Sequence, residues 1–302
     1  MAINLQLKAA GFLCLLIIGI PANISLILRF VHMGFLEKKL LPANIIRMSL
    51  SCANLFVLIS RIIPQTLFSI GLKHLFNDQH CKLVIFVFRV SRAMVICITS
   101  FLSCHQCIII APATGNWKYL KQIVSRYVLI IIFLFLAMNV AIYPNPILFG
   151  WATTNETSPY TLHLVYCDVD FMNYATYLIN GLVSAIREII FVGLMALSSM
   201  YMVANVRIEY KASRAVILLV TMYMALFGMD NSMWIYTLTM TNVDPDVSDT
   251  RVFLAASFAA LSPIHIFSTT PKLHFFFQSS CKKRTIDVQT IISNDIQTII
   301  KN

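Results

Sequence analysis

Long apolar runs without a charged residue recur along this chain, and they limit its fold more than any other feature. The uncharged runs cover residues 9–28, 93–117, 127–155, 189–206 and 252–271. Two further apolar segments, near 43–71 and 212–241, each carry one charge well inside them, at Arg61 and Asp230 respectively. A helix needs about 20 mostly apolar residues to cross the hydrocarbon core of a bilayer. The pattern therefore predicts seven membrane spans.

The amino-acid composition indicates that lipid surrounds these segments. Apolar residues make up 58% of the 302 residues and charged residues only 12%, whereas about 25% of the residues of a soluble protein are charged. In hydrocarbon the backbone finds no water, so each span is a helix or a strand of a closed barrel. Continuous apolar runs, rather than alternation, favour helices. We predict an all-α integral membrane protein, a seven-transmembrane helix bundle.

The predicted boundaries give one membrane domain, residues 1–269, followed by a short tail, 270–302. The spans are expected near 7–31, 43–71, 80–112, 125–146, 173–205, 212–241 and 250–269. Prolines at 21, 64 and 263 fall inside spans, where each removes a backbone donor and is expected to bend its helix.

The net charge of +10 is distributed unevenly between alternate connections. If the N-terminus lies outside, every connection on the inner side is net basic, and the tail is basic as well. The inner residues are Glu37, Lys38, Lys39, Arg47, Lys118, Lys121, Arg126, Arg207, Glu209, Lys211 and Arg214. The long loop near 147–172 on the other side is acidic. Basic connections mark the cytoplasmic side, so we expect an extracellular N-terminus and a cytoplasmic C-terminus, and no nucleic-acid partner.

Two cysteines and one glycosylation sequon support the same orientation. Of the eight cysteines, only Cys81 and Cys167 fall on the predicted outer side, where the compartment is oxidising, so we expect a disulfide between them. Such a bond would hold the long loop over the mouth of the bundle. Asn155 begins an Asn-Glu-Thr sequon in that same loop and is expected to be glycosylated.

The sequence resembles the vomeronasal type 1 receptors and their fish counterparts, the olfactory receptors related to class A. The resemblance rests on SLSCANLFVLISRIIPQT at 49–66, NDQHCKLVIFVFRVSRAMVICITSFLSCHQCIIIAP at 77–112, FVGLMALSSMYMV at 191–203 and LSPIHIF at 261–267. It extends over nearly the whole chain. It implies a chemosensory G protein-coupled receptor of the plasma membrane that binds a small odorant or pheromone. It also implies an inhibitory type of heterotrimeric G protein as partner.

Several positions depart from the pattern of the main class A receptors. His105-Gln106-Cys107 stands where an Asp-Arg-Tyr would be expected, and Ser262-Pro263-Ile264 replaces Asn-Pro-x-x-Tyr. These departures fit the vomeronasal type, and the absence of lysine from the seventh span excludes an opsin. A receptor similar to the bitter taste receptors is the alternative, although the Cys81 and Cys167 pair weighs against it. A transporter or channel is less favoured, because the chain has only nine glycines and no inverted repeat.

Charged side chains within the predicted spans mark the candidate ligand site, because each costs roughly 2.5 to 3.5 kcal/mol at the centre of a bilayer. Arg89 and Arg92 share a face of the third span, Arg187 and Glu188 lie in the fifth, and Asp230 lies in the sixth. Three arginines exceed two acids, which would leave one guanidinium for a carboxylate, sulfate or phosphate. The alternative is that these charges only neutralise one another. The uncharged candidates are Phe88, Met94, Met229, Trp234, Tyr236 and His265.

At the inner side, the residues expected to contact a G protein are His105, Gln106, Arg126, Arg207 and Lys211. Basic residues there also serve as determinants of topology. The sequence shows no paired acids, no His-Glu-x-x-His motif and no nucleophile elbow, so we expect no enzyme, no cofactor and no metal.

Overall fold

A computed structural model describes residues 2–37, 40–72, 76–111, 115–143, 150–152, 161–163, 167–170, 174–204, 210–239 and 245–269. Seven helices run through these segments and pack side by side. They are α1 (Ala2–Glu37), α2 (Pro42–Ser69), α3 (Asp78–Ile110), α4 (Asn116–Ile142), α5 (Tyr174–Ala204), α6 (Tyr210–Thr239) and α7 (Pro245–Thr269). The predicted class of fold, a helical bundle of the membrane-receptor type, is confirmed.

Five of these helices, α1 to α5, are long and apolar enough to cross a membrane. Helices α6 and α7 contain shorter apolar stretches within the described residues, Ile217–Asp230 and Val252–Phe267. Many large apolar side chains on the outside of the bundle are exposed, among them Leu129 and Phe133 on α4 and Ile189 on α5. An apolar exterior of this kind is what hydrocarbon requires, so the chain is a multi-pass membrane protein.

Helix α3 is the central helix of the bundle. It contacts α2, α4, α5 and α6, and most of its residues from Val90 to Gln106 are buried. Helices α4 and α5 lie at the periphery, and α6 packs mainly against α7. Residues of α3 can therefore reach four neighbouring helices, and this position places its arginines inside the protein.

Helix α2 contains a π-helical turn, Leu58–Ile62, between two α-helical parts. Pro64 follows this turn closely and cannot donate a backbone hydrogen bond, which is a physical reason for the irregularity. The sequence predicted a distortion at this proline. The π-turn includes Arg61, which is 5% exposed, and presents it towards α3.

A small antiparallel sheet covers one end of the bundle. Its strands are β1 (Gly150–Ala152), β2 (Thr161–His163) and β3 (Cys167–Asp170), in the order β1-β3-β2. The predicted disulfide between Cys81 and Cys167 is present, with a Cα–Cα distance of 5.8 Å, and it joins β3 to the first turns of α3. The sheet was not predicted from the sequence. We call this end of the bundle the disulfide end and the other the distal end.

Candidate functional site

A narrow cavity of about 30 Å³ lies between α2, α3, α6 and α7. Its walls are mainly apolar. Helices α3, α6 and α7 each contribute residues at helical spacing, so that a single face of each borders the space, and α2 contributes Val57. The lining residues are Val57, Phe88, Arg92, Val95, Tyr223, Leu226, Asp230, Leu254, Ala255, Phe258 and Ala259.

An ion pair between Arg92 and Asp230 forms the polar part of the wall. Nη2 of Arg92 donates a hydrogen bond to Oδ2 of Asp230, which connects α3 to α6. The Asp230 side chain is 3% exposed, whereas the Arg92 side chain is 29% exposed. Arg92 follows Cys81 by eleven residues of helix, roughly 16 Å along the axis. The pair is therefore deep in the bundle, with the cation on the side that faces the cavity.

A second group of charges lies between α4 and α5. Nη2 of Arg187 is 3.2 Å from Oε1 of its neighbour Glu188, and Nη1 donates a 3.2 Å hydrogen bond to Oδ1 of Asn139 on α4. The guanidinium also stacks on the ring of Tyr143 at 5.1 Å. Burial of Arg187, which is 5% exposed, is thus compensated by an acid, an amide and an aromatic face.

Two more arginines lie close to the cavity. The guanidinium of Arg61 is 5.4 Å from the ring centre of Phe88, a residue of the cavity wall. Arg89 lies within electrostatic range of both Arg61 and Arg92. Within the described part of the chain, Arg89 donates no hydrogen bond and forms no ion pair. The neighbourhood of the cavity therefore holds more positive than negative charge.

The structure brings together only some of the residues proposed from the sequence. Phe88, Arg92 and Asp230 border the cavity, and Arg89 lies next to it. Arg187 and Glu188 form the neighbouring pair on α5. The side chains of Trp234 and Tyr236 lie outside the described residues. His265 is six residues beyond the last cavity residue of α7, and it does not line the cavity.

The α7 wall and Asn139 were not predicted from the sequence. Leu254, Ala255, Phe258 and Ala259 form one face of α7, but nothing distinguishes them in sequence from residues that only pack. Asn139 is fully buried and binds Arg187, and a buried amide in an apolar run was a signal that could have drawn attention to it.

A third polar cluster lies at the disulfide end. Nζ of Lys8 lies 2.6 Å from Oδ2 of Asp249, and Nε2 of Gln65 donates a 2.8 Å hydrogen bond to Oδ1 of the same carboxylate. These contacts join α1, α2 and α7. Because Asp249 already binds Lys8 and Gln65, its negative charge does not neutralise the arginines around the cavity.

At the distal end, His105 and Gln106 are buried. Neither ring nitrogen of His105 has a hydrogen-bond partner among the described residues. Arg126 on α4 is exposed and stacks on Tyr127 at 5.7 Å. Arg207 and the side chain of Lys211 lie outside the described residues, as do Asn155 and residues 270–302.

Comparisons with known proteins point to one group. Residues 8–208 match the family described as "Vomeronasal organ pheromone receptor family". Olfactory receptor class A-like protein 1 of Danio rerio is 35% identical over 293 residues, covering 90% of this chain and 92% of the relative. Vomeronasal type-1 receptor 90 of Rattus norvegicus is 25% identical, and the match covers 93% of this chain and 96% of the relative. Vomeronasal type-1 receptor 2 of Homo sapiens is 24% identical, and the match covers 88% of this chain and 73% of the relative.

Proposed function

Because the chain belongs to the vomeronasal organ pheromone receptor family, we propose that it binds a small extracellular ligand in the cavity between α2, α3, α6 and α7 and activates a heterotrimeric G protein. The family is one of chemosensory receptors. The position of the cavity, below the disulfide end and in contact with the central helix, supports this site for the ligand. Receptor families of this kind couple to G proteins, and the resemblance to vomeronasal receptors favours the inhibitory type.

The ligand we propose is mainly apolar and carries one anionic group. The observation behind this proposal is the excess of positive charge around the cavity. Arg61, Arg89, Arg92 and Arg187 lie in this half of the bundle, and the described acids beside them are Glu188 and Asp230; Asp249 is engaged with Lys8 and Gln65, and Asp78 is exposed in the first turn of α3. Only Nη2 of the Arg92 guanidinium donates a hydrogen bond within the described chain, so donors remain for a ligand. Charge-assisted bonds to carboxylate, sulfate or phosphate are strong and directional.

The decisive experiment compares matched acids and amides. Cells expressing the receptor and an inhibitory-type G protein are exposed to a panel of small apolar carboxylates and to the primary amides of the same acids. We expect at least one carboxylate to activate the receptor, with its amide about ten- to one-hundredfold weaker, the range that one charge-assisted hydrogen bond produces. Equal potency of every active acid and its amide would reject the anionic ligand.

Substitutions then assign the response to individual arginines. Arg92→Gln should raise the EC50 of an active carboxylate about ten- to one-hundredfold, and Arg89→Gln should raise it by a smaller factor. The matched control is Arg29→Gln on α1, a residue that does not border the cavity and whose replacement should not change the EC50. Surface expression is measured for each variant. Unchanged EC50 values in both Arg92→Gln and Arg89→Gln would remove these residues from the site.

The orientation we propose places the disulfide end outside the cell. It is supported by the disulfide itself, which needs an oxidising compartment, by the sequon at Asn155, and by the basic connections at the distal end. Asn155→Gln should abolish a mobility shift that a glycosidase removes. Epitopes at the two termini should be accessible on opposite faces of intact cells, the N-terminal one outside. Two termini on the same side would contradict the proposal.

For the G protein, we propose the distal end, where His105, Gln106, Arg126, Arg207 and Lys211 are the candidate contacts. His105 and Gln106 are buried, so they become accessible only if the helices separate at this end. The alternative of ion conduction is tested in the same cells. Blocking inhibitory G proteins with a toxin should abolish the response, whereas a current that persists under the toxin would favour a channel.

A further inference from the structure

Two of the ion pairs described above differ in what they connect. Arg187 and Glu188 are adjacent on α5, so their salt bridge holds no two helices together. Arg92 and Asp230 lie on α3 and α6, and their hydrogen bond joins these two helices at the wall of the cavity. A ligand in the cavity would meet only the second of these pairs. The response to a ligand can therefore be transmitted through that contact.

Helix α6 is held unevenly by its neighbours. It packs extensively along α7 and only sparsely against α3 and α5. Arg92 to Asp230 is the ion pair between α3 and α6 for which both side chains are described. Among the described residues α6 contacts α3 less than α7, and this pair is a polar link between α3 and α6. Loss of the pair would leave α6 free to move with α7 as its main support.

The exposures of the two partners decide which of them a ligand reaches. Both side chains border the cavity, and Arg92 is the more exposed of the two, at 29% against 3% for Asp230. An anionic group that enters the cavity is attracted by the excess of arginines and arrives at the guanidinium. There it competes with the carboxylate of Asp230, since two like charges close together in an apolar cavity repel each other.

We propose that the anionic group of the ligand takes the place of the Asp230 carboxylate on Arg92, and that this exchange releases α6 from α3 and starts the response. The inference rests on the proposed function and adds the way in which ligand binding is coupled to the helix that moves. Arg92 then serves both as the contact for the ligand and as the fixed partner that holds α6 when no ligand is bound. Arg92 binds either the ligand or Asp230, but not both at once. Without ligand the ion pair is intact, and it keeps the receptor inactive.

The test measures ligand-independent signalling. Guanine-nucleotide exchange is recorded in membranes from the cells in which the wild-type receptor responds. Asp230→Asn keeps the shape of the side chain and removes its charge. The interaction with Arg92 is therefore weakened, and no packing defect is created. We expect basal exchange to rise, with the ratio of active to inactive receptor increased about tenfold, and the EC50 of an active carboxylate to fall. Ser232→Ala is the matched control on α6, because Ser232 is exposed and, among the described residues, donates only to the Gly228 carbonyl of its own helix.

A charge reversal separates release of the pair from damage to the protein. Arg92→Asp combined with Asp230→Arg restores an ion pair of opposite direction. This double variant should return basal exchange to nearly the wild-type level and should not respond to carboxylates. Its recovery would show that the high basal signal of Asp230→Asn came from the lost pair and not from misfolding.

Two results overturn the exchange. One is an unchanged basal signal in Asp230→Asn at normal surface expression, which is the outcome if the ligand adds to the pair without displacing Asp230. The other is a double variant as active as Asp230→Asn. In both cases an Arg92-dependent response of the wild-type receptor to acids would leave the proposed function intact. If no acid activates the wild-type receptor, the anionic ligand fails first, whatever the basal signal of the variants.

Discussion

The two ends of the helix bundle solve the burial of polar side chains in different ways. Towards the disulfide end the buried groups are arginines and acids, and the arginines are in excess. Where α1, α2 and α7 meet, further towards the distal end, the hydrogen-bonded groups are neutral: Asn54 donates a 2.8 Å hydrogen bond to Ser262, and Asn23 donates to the carbonyls of Gly19 and Ala259.

This difference separates stability from function. Neutral hydrogen bonds fix helices locally, and each contributes about 1 kcal/mol. A buried charge is far more expensive, and a buried ion pair is often no more stabilising than apolar residues of the same volume. Packing alone therefore gives no reason for an excess of guanidinium groups. The anionic ligand that we propose would explain this excess. The neutral amides and hydroxyls between α1, α2 and α7 are explained by their role in holding these helices together.

The largest effect is expected from removal of the disulfide, which holds the small β-sheet over the disulfide end of the bundle. Cys81 and Cys167 are 86 residues apart, so their disulfide stabilises the folded state by about 4.6 kcal/mol on the chain-entropy account. Cys81→Ser should reduce surface expression strongly and abolish signalling. Cys14→Ser, at an exposed and unpaired cysteine of α1, is the control. Normal expression of Cys81→Ser would show that the charged end keeps its form without this bond.

Arg187 should be the most sensitive single charge outside the cavity. Arg187→Met leaves the partly buried Glu188 carboxylate and the buried side-chain oxygen Oδ1 of Asn139 without this donor, at an expected cost of about 3 kcal/mol. Adding Glu188→Gln should recover part of the loss, because the uncompensated charge is then gone. Thermal unfolding of the purified receptor measures both variants. A double variant less stable than Arg187→Met would contradict the electrostatic explanation.

At the neutral end the close packing of α1 is expected to matter more than any one hydrogen bond. A Cβ added to Gly19 would lie 2.7 Å from a methyl of Leu58 and 3.0 Å from the backbone of Ala260. Gly19→Ala should therefore lower the free energy of unfolding by about 2 kcal/mol. The control is Gly193→Ala on α5, where nothing lies within 4 Å and the gain in helix propensity should stabilise slightly. Equal melting temperatures would show that α1 adjusts its position freely.

The smallest of these effects should come from the amide of Asn54. Replacing its partner, Ser262→Ala, removes one neutral hydrogen bond and should cost about 1 kcal/mol with no change in ligand response. The EC50 of an active carboxylate and the melting temperature are measured together. A large shift in EC50 with little change in stability would break the distinction between the two ends, since the neutral contact would then take part in signalling.

Much of the architecture followed from local patterns in the sequence. The helical class and the disulfide were predicted because hydropathy and the placement of two cysteines are properties of single segments. The sheet was not, because β1, β2 and β3 have only three or four residues each and are ordered by pairing with one another. The excess of arginines over acids within the predicted spans could also be counted from the sequence. Their pairing was not, since Arg89, Arg92 and Arg187 offered several equivalent partners in sequence.

The sequence by itself therefore determined that this chain crosses a membrane as a helical bundle, that Cys81 and Cys167 are joined, and that its interior holds more arginine than acid. Only the tertiary structure decided that Arg92 binds Asp230, that Arg187 binds Glu188 and Asn139, and that one apolar face of α7 completes the cavity. The physical reason is that hydrophobicity and charge are summed along a segment, whereas the partner of a side chain depends on how each helix is rotated against its neighbours.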